Sequence, residues 1–436
     1  MKQSPAPATQ GAGTYSTTGM RSHAILIVLF VIYMSDYIDR YVVASMIDFI
    51  KQDWHITDAQ AGTLMSVVLL FITIFTVPAS ILIDRWSRRK MVAVMVFLWS
   101  LATLACAFTK NYTQLLVARA FIGIGESGYA PGGAAMLSAA YPEDKRAKAL
   151  GIWNASIPLG VGIGLFAGGQ IAKHWGWQHA FGLVAFPGML LALAAWFLPD
   201  YKTVRAESSA EGGTDLRGFL AKALQICRRP CLVLTYLGFA MNVSVTTALM
   251  TWLPSYFERT GLAEPGAGGT YTMPIFALVL VGAPMGGFLS DAWHKKRPEA
   301  RMIFPALTSL AAASILLVAL LNPGKGAQLY IMISYGVLAT CFIAPAASVT
   351  QDLVHPGLRA FSYALCVIVQ HMCGDIWSPW LVGAISDHIA GDGSGLSKAM
   401  LIVPAFGMMA AVFFFVGSRF YNRDLALVEK VELEAE

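Results

Sequence analysis

Residues 30–46, FVIYMSDYIDRYVVASM, place three charged side chains in a stretch that is otherwise apolar enough for a membrane interior. Asp36, Asp39 and Arg40 lie within five positions of one another. A charge at bilayer depth costs about 2.5–3.5 kcal/mol or more, so such residues indicate a functional site. At 100° per residue, one side of this helix collects four polar or aromatic side chains: Tyr33, Asp36, Tyr37 and Arg40. The pattern predicts one polar helix face, with Asp39 at its edge, directed into a cavity.

A second stretch of this kind reads LLVARAFIGIGESGYAPGG, residues 115–133. Arg119 and Glu126 are seven residues apart, so they share a helix face two turns apart. A carboxylate beside a guanidinium lowers the cost of burying either group. We therefore expect Arg119 to pair with Asp39 or Glu126 when no ligand is bound. A static ion pair between two helices is the alternative, but the excess of acids over bases favours proton handling.

The second half of the chain carries fewer polar residues. Asn242, Thr246 and Tyr256 recur at helical spacing, with Trp252 nearby, and QHMCGDIWSPW places His371 one turn before Asp375. A polar half facing a largely apolar half suits an amphipathic substrate. The predicted substrate-binding residues are Tyr33, Asp36, Tyr37, Arg119, Asn242, Trp252, His371 and Asp375.

The elements that must position these residues are membrane helices. Of the 436 residues 56% are hydrophobic and only 13% are charged, a composition typical of membrane proteins. Apolar runs of spanning length recur along the whole chain. We predict twelve spans: 24–50, 59–83, 90–109, 112–140, 147–173, 178–199, 231–257, 268–290, 301–321, 328–351, 359–387 and 398–419.

The spans divide into two bundles of six. The bundles cover 23–199 and 230–420, and a polar cytoplasmic linker at 200–229 joins them. Residues 1–22 are expected to form a disordered cytoplasmic tail and 421–436 a second cytoplasmic tail. Arg40 and Arg119 lie inside spans; of the other Lys and Arg residues, this topology places 23 inside and six outside, which predicts cytoplasmic termini.

The two halves repeat one another. ILIDRWSRRK after span 2 corresponds to GFLSDAWHKKR after span 8, which places Asp84 and Asp291 at equivalent positions. Two related six-span halves with the same orientation are typical of transporters.

Other classes of function are disfavoured. GIGESG matches the dinucleotide fingerprint, but it lies inside a membrane helix rather than after a strand. The six cysteines include no CxxC pair, and a net charge of +5 is too small to indicate a nucleic-acid partner. A membrane enzyme or a non-transporting sensor stays as a minor alternative, with His371 and Asp375 as the candidate arrangement. We expect no catalytic residue, no metal and no cofactor, with a proton as coupling ion.

The sequence resembles the major facilitator superfamily. DRWSRRK, residues 84–90, is similar to the family's loop between spans 2 and 3, although Ser80 and Ser87 stand where the family has Gly. The resemblance implies an all-α membrane protein of twelve transmembrane helices in two pseudo-symmetric bundles. It also implies a conformational latch, formed by Asp84, Arg85, Arg88, Arg89 and Asp291.

Within that superfamily, four pieces resemble the Spinster group: YIDRYVVA, RAFIGIGESGYAP, GIWNASIPLGVGIG and GDIWSPWLVGAISD. The resemblance covers about residues 24–420. It implies a proton-coupled, alternating-access transporter of lysophospholipids or sphingosine-phosphate-like lipids in a bacterial inner membrane. The residues that match the family's polar cluster, and are expected to couple protons, are Asp39, Arg40, Arg119 and Glu126.

Three further expectations complete this interpretation. The organic anion–proton symporters have similar first and fourth spans, so uptake of a sugar acid or another small carboxylate is the alternative. In the predicted mechanism, a substrate phosphate or carboxylate competes for Arg119, and the released acid takes a proton because a buried carboxyl without its cation favours the neutral form. We expect a monomer whose partners are the substrate and membrane lipids.

Overall fold

The computed structural model describes residues 19–199, 226–321, 324–355, 358–389 and 394–428. These residues are helical apart from short turns and include no β-strand. The predicted tails and linker lie largely outside the described residues. The first described helix begins at Gly19, inside the predicted N-terminal tail. The last described helix ends at Ala426, beyond the predicted end of the second bundle.

The helices of the first half fall on the six predicted spans. Span 1 consists of Gly19–Val42, a 3₁₀ turn at Val43–Ser45 and Ile47–Trp54; span 2 is Asp58–Arg85; span 3 is Arg88–Cys106; span 4 consists of Tyr112–Glu126 and Tyr129–Ala140; span 5 consists of Glu143–Asn154 and Ser156–Trp175; and span 6 is Trp177–Trp196. Spans 4 and 5 are each broken by a short turn.

The second half follows the same order. Span 7 is Pro230–Arg259; span 8 consists of Gly268–Ala277 and Val279–His294; span 9 is Ala300–Leu321; span 10 consists of Lys325–Leu338 and Ile343–Asp352; span 11 consists of Arg359–Gln370, a π-helical turn at His371–Asp375 and Ser378–Ile389; and span 12 consists of Gly395–Ala399, a 3₁₀ turn at Met400–Ile402 and Val403–Ala426.

Within the described part of the chain, nine helices are long and apolar enough to cross a membrane. The predicted spans outside that group are 1, 4 and 11. Span 1 is rich in charges, and spans 4 and 11 also contain charged residues, among them Glu126 and Asp375. These three spans carry most of the predicted site residues, so the departure from a long apolar helix coincides with the candidate site.

The turn between spans 1 and 2 is specified by local sequence. His55 ends span 1 in the left-handed conformation, with φ of 53°. Thr57 then caps span 2: its hydroxyl accepts from the Gln60 backbone N–H at 3.2 Å, and the Gln60 side chain accepts from the Thr57 N–H at 2.9 Å. This reciprocal capping satisfies N–H groups that have no partner within the helix. It fixes where span 2 begins.

Spans 1 and 5 pack backbone against backbone. A methyl group on Gly160 would lie 2.5 Å from the Met34 carbonyl oxygen, and one on Gly168 would lie 2.3 Å from that of Val42. No larger residue fits at either position without displacing a helix. Small residues are the usual means of close helix approach in membranes, and here they hold the charged span against its neighbour.

We call the side of the bundle where span 1 begins and span 12 ends the terminal side, and the opposite side the far side. Extensive contacts between the two halves join span 2 to span 11 and span 5 to span 8. The approach is closest toward the far side, where a methyl group on Gly269 would lie 1.8 Å from the Leu165 carbonyl oxygen and one on Gly383 would lie 2.3 Å from that of Asp58. The halves are therefore closed against each other on the far side.

Candidate functional site

The centre of the site is a buried triad formed by Asp36, Arg40 and Glu126. Arg40 donates to Glu126 Oε2 from Nε at 3.1 Å and from Nη2 at 2.7 Å, and the same Nη2 donates to Asp36 Oδ2 at 3.1 Å. Asp36 lies one turn before Arg40 on span 1, and Glu126 ends the first helix of span 4. Arg40 is 14% exposed, whereas the two carboxylates have almost no contact with solvent. The triad thus joins spans 1 and 4.

Aromatic side chains surround the triad. The Arg40 guanidinium lies 4.7 Å from the centre of the Tyr37 ring, a cation–π distance. Tyr33 stacks on Trp153 of span 5 with ring centres 4.4 Å apart. Tyr129 donates to the Leu29 carbonyl at 2.5 Å and lies 3.3 Å from Trp153 Nε1. Tyr33 and Tyr37 are predicted from the sequence, whereas Tyr129 and Trp153 are not, although both lie in stretches that resemble the Spinster group.

Asp39 lies apart from this triad. One oxygen accepts a hydrogen bond from the Thr103 hydroxyl of span 3, and the other, Oδ1, has no partner in the described part of the chain. The side chain is buried. Its separation agrees with its predicted position at the edge of the polar helix face. Thr103 carried no signal in the sequence, because it lies within an apolar run.

Arg119 does not form the predicted ion pair. Its Nε donates to the Leu64 carbonyl of span 2 at 2.8 Å, and Nη2 donates to the Arg40 carbonyl at 3.4 Å. Nη1 has no partner among the residues that the structure describes, and the side chain is fully buried. Within the described part of the chain, no carboxylate lies within salt-bridge distance of Arg119, so the prediction that it pairs with Asp39 or Glu126 is wrong for this structure.

Arg119 does not pair with Glu126 because the two residues lie at different depths along span 4. Seven residues of α-helix separate Arg119 from Glu126 by about 10 Å along the axis. Arg119 points sideways to the main chains of spans 1 and 2, which leaves Glu126 to a nearer cation. Arg40 fills that position, because it projects from span 1 at the level of Glu126. Arg119 is therefore a helix-joining residue in this conformation, and Arg40 is the cation of the acidic site.

In the second half, His371 and Asp375 are in contact, as their spacing predicts. His371 Nδ1 lies 3.0 Å and 2.8 Å from the two Asp375 oxygens. The five residues between Gln370 and Ile376 form a π-helical turn, which is often found at functional sites. His371 is 28% exposed at its side chain and Asp375 is buried. The π-turn was not predicted from the sequence.

Asn242 and Trp252 use their polar atoms within the protein. Asn242 Nδ2 donates to Ser309 of span 9 at 2.9 Å, and Trp252 Nε1 donates to the Pro379 carbonyl of span 11 at 2.9 Å. Trp252 is fully buried. In this conformation both residues join helices of the second half, and their predicted contact with substrate stays a prediction.

The far side is closed by an ionic network that sequence reasoning missed. Arg259, at the end of span 7, donates to both oxygens of Asp58, the first residue of span 2, and also to Asp48 at 3.0 Å and 2.5 Å. Asp58 further accepts from Lys51 and from the Ser386 hydroxyl at 2.6 Å. Arg259 and Ser386 belong to the second half, whereas the others belong to the first. We call these five residues the far-side lock.

Asp387 adds a second bridge between the halves. Its two oxygens accept the backbone N–H groups of Asp58 at 2.8 Å and of Ala59 at 2.7 Å. These N–H groups open span 2 and have no partner inside that helix. A carboxylate at a helix N-terminus is also stabilised by the helix dipole. Span 2 is therefore capped by a residue of span 11.

The predicted latch is only partly described. The side chains of Asp84 and Arg85 lie outside the described residues, and Arg88 begins span 3. Arg89 donates to the Leu198 carbonyl at 3.0 Å, within the first half.

The equivalent part of the second half is described more fully. Asp291 accepts from Arg301 at 3.1 Å, and Arg301 also pairs with Asp352. These contacts lie within the second half and join spans 8, 9 and 10. A latch between the two halves on the terminal side stays a prediction.

Comparison with known proteins agrees with this architecture. The model of the Major Facilitator Superfamily matches residues 29–376. Protein spinster homolog 1 of Xenopus laevis is 26% identical over 450 residues, covering 95% of this chain and 84% of that protein. The mouse (Mus musculus) protein of the same name is 28% identical over 404 residues, covering 86% and 76%.

A solved structure shows the same fold. The crystal structure of a bacterial homolog to the human lysosomal transporter Spinster, in an inward-facing and unoccupied conformation, matches with a TM-score of 0.82 and 21% identity, covering 94% of this chain and 99% of the other. The predicted all-α fold of this superfamily and the resemblance to Spinster proteins are confirmed, whereas twelve as the number of transmembrane helices stays a prediction. The chain therefore belongs to the Major Facilitator Superfamily, and it is a multi-pass membrane transporter of the Spinster type rather than an enzyme.

Proposed function

We propose that the protein is a proton-coupled, alternating-access transporter of an amphipathic anion, such as a lysophospholipid or a sphingosine-phosphate-like lipid. The observation that carries this proposal is the buried triad of Asp36, Arg40 and Glu126, where one partly exposed cation is shared by two acids. A phosphate or carboxylate of the substrate would compete with those acids for the planar guanidinium, which binds two oxygens at once.

Three further features support it. The far-side lock closes one end of the bundle, so the substrate in this state would enter from the terminal side. His371 is partly exposed and would provide a polar contact in the second half, together with Asp375. The spans of the second half are otherwise largely apolar and suit a lipid chain.

The alternating movement requires contacts that break and re-form. The far-side lock would open when the halves rock, and Asp84, Arg85, Arg88 and Arg89 would close the terminal side. We propose that the protein acts as a monomer in a bacterial inner membrane, with cytoplasmic termini and no resident metal or cofactor. Single cysteines replacing Ala6 or Ser209 in a Cys-free background should resist an impermeant thiol reagent in intact cells, and labelling there would contradict this orientation.

The second candidate function is uptake of a sugar acid or another small carboxylate. The triad favours it as much as it favours a lipid headgroup, because both ligands present an anion to Arg40. The apolar second half favours the lipid over the small acid, since a small acid has no hydrocarbon chain to place there.

Transport into proteoliposomes under an imposed pH gradient tests the proposal. Purified protein is reconstituted and offered either a labelled lysophospholipid or labelled gluconate. We expect gradient-dependent movement of the lysophospholipid, its loss in Arg40→Gln, and its retention in Arg419→Gln, which removes an exposed arginine on span 12. Transport of gluconate alone would establish the second candidate, and transport of neither class by the wild-type protein would contradict the proposal.

A further inference from the structure

The triad has an unbalanced charge. Asp36 Oδ2 and Glu126 Oε2 accept from the same Arg40 nitrogen, Nη2, at 3.1 Å and 2.7 Å. Two ionised carboxylates with one guanidinium carry a net charge of −1. The second oxygen of each acid, Asp36 Oδ1 and Glu126 Oε1, is buried and has no hydrogen-bond partner among the described residues. A net charge with unpaired oxygens is costly in a low-dielectric interior.

Other charged groups around the triad do not remove this imbalance. Asp39 is bonded to Thr103, and Arg119 is bonded to the main chains of spans 1 and 2. Among the described residues, the titratable groups that face the two acids are, on span 1, Tyr33, Tyr37, Asp39, Arg40 and Tyr41, and, on span 4, Arg119 and Tyr129. Span 5 presents Trp153 to the same region. The charges of Asp39 and Arg119 are opposite and cancel each other, so the net charge of the region stays at −1.

We propose that Asp36 and Glu126 share a single proton, and that this proton rather than one on Asp39 is exchanged during transport. Two carboxyl groups held at one cation cannot both stay ionised cheaply, as in other buried acid pairs. With one proton the triad is neutral. The step is a proton transfer only: water on the open side supplies or accepts the proton, and one carboxylate becomes a carboxylic acid or the reverse.

The shared proton provides a rule for coupling, and this part of the inference rests on the proposed function. When the triad is neutral, the transporter can pass through a closed state that excludes water at little electrostatic cost. When the triad has a net charge of −1, the same step is costly. Reorientation then requires the proton. Asp36→Asn or Glu126→Gln would leave one acid and one cation, a pair that is neutral without a proton. Each variant would reorient freely and lose coupling.

Infrared difference spectroscopy tests the shared proton without any transport. Spectra of substrate-free wild-type protein at neutral pH are compared with those of each variant, in the C=O region of protonated carboxyl groups. We expect Asp36→Asn and Glu126→Gln to lose one such band, and Asp39→Asn to keep it. Glu264→Gln, which changes an exposed far-side acid, is the matched control and should also keep it. A band that persists in either triad variant, or disappears in Asp39→Asn, overturns the proposal.

Folding and coupling are measured on the same samples. Thermal melts identify any variant that is unfolded, and Asp36→Glu, which keeps the acid, should restore the band if Asp36→Asn folds poorly. In proteoliposomes, Asp36→Asn should allow downhill movement of substrate and abolish accumulation driven by a pH gradient. If wild-type protein shows no gradient-driven transport, the proposed coupling fails, whereas the spectra still decide whether the two acids share a proton.

Discussion

Arg259 and Asp58 form a two-pronged ion pair between the halves of the transporter, with Nη1 2.8 Å from Oδ2 and Nη2 2.9 Å from Oδ1. The planar guanidinium matches a carboxylate in this geometry. Because the two residues belong to different bundles, the pair exists only while the far side is closed. It contributes to the balance between conformations as well as to stability.

Replacing Arg259 by Gln should open the far side. The substitution removes charge-assisted hydrogen bonds worth about 1.5–3 kcal/mol, which corresponds to a shift of about 10–150-fold toward the open form. Spin labels on cysteines at Lys110 and Glu264, which lie on the far side in different halves, would report this as a longer distance population. Arg419→Gln is the control and should leave the distances unchanged. An unaltered distribution in Arg259→Gln would show that the ion pair does not hold the gate.

Asp387→Ala should weaken the far side differently. The change removes both acceptors for the Asp58 and Ala59 N–H groups, so the first turn of span 2 loses one of its two caps. Amide hydrogen exchange should become faster in peptides that contain these two residues, with little change in span 3. Thr57 and Gln60 cap the same helix from within the first half, so Thr57→Ala should speed exchange without shifting the spin-label distances.

Arg119→Lys and Arg40→Lys should fail for different reasons. An ammonium at position 119 cannot donate to the Leu64 and Arg40 carbonyls together, so this variant should lose stability by about 1–3 kcal/mol. At position 40 the charge stays near both acids, and we expect near-normal thermal melting with weakened substrate binding. Melting curves and substrate titrations on both purified variants separate the two outcomes. Normal stability of Arg119→Lys, with a selective loss of substrate binding, would return Arg119 to the role predicted from the sequence.

Asp39→Asn should be mild. The amide oxygen of Asn still accepts from Thr103, and no ion pair is broken, because Arg119 donates to main-chain carbonyls rather than to Asp39. We expect a loss of less than about 1 kcal/mol in unfolding free energy, within the usual range for such changes, and retained gradient-driven transport. Uncoupled transport by a stable Asp39→Asn protein would identify Asp39 as the proton carrier and contradict the shared proton.

The helices and their order could be predicted from the sequence, because an apolar run long enough to cross the bilayer indicates a membrane span. The sequence also predicted the contact of His371 with Asp375, since both lie on one helix. It could not predict which acid meets which arginine. That pairing depends on the rotation and relative height of spans 1 and 4, which no local sequence pattern encodes.

The far-side lock was missed for a related reason. Asp58 and Arg259 are separated by 201 positions, and Asp58 and Asp387 by 329. In the sequence, each of these residues is simply a charged residue near the end of a membrane helix. Their significance arises only when the two bundles meet. The π-turn in span 11 could not be predicted either, because its residues are compatible with an ordinary α-helix.

The cap that Asp387 places on span 2 also bears on water. When the halves separate, the N–H groups of Asp58 and Ala59 lose their acceptors, and the carboxylate of Asp387 loses its donors. Buried polar groups without partners are costly, so water must enter to replace them. Opening the far side is therefore a hydration step, and solutes that are excluded from protein surfaces should hold the transporter closed on that side. The rate of turnover would then depend on the osmotic strength of the surrounding medium.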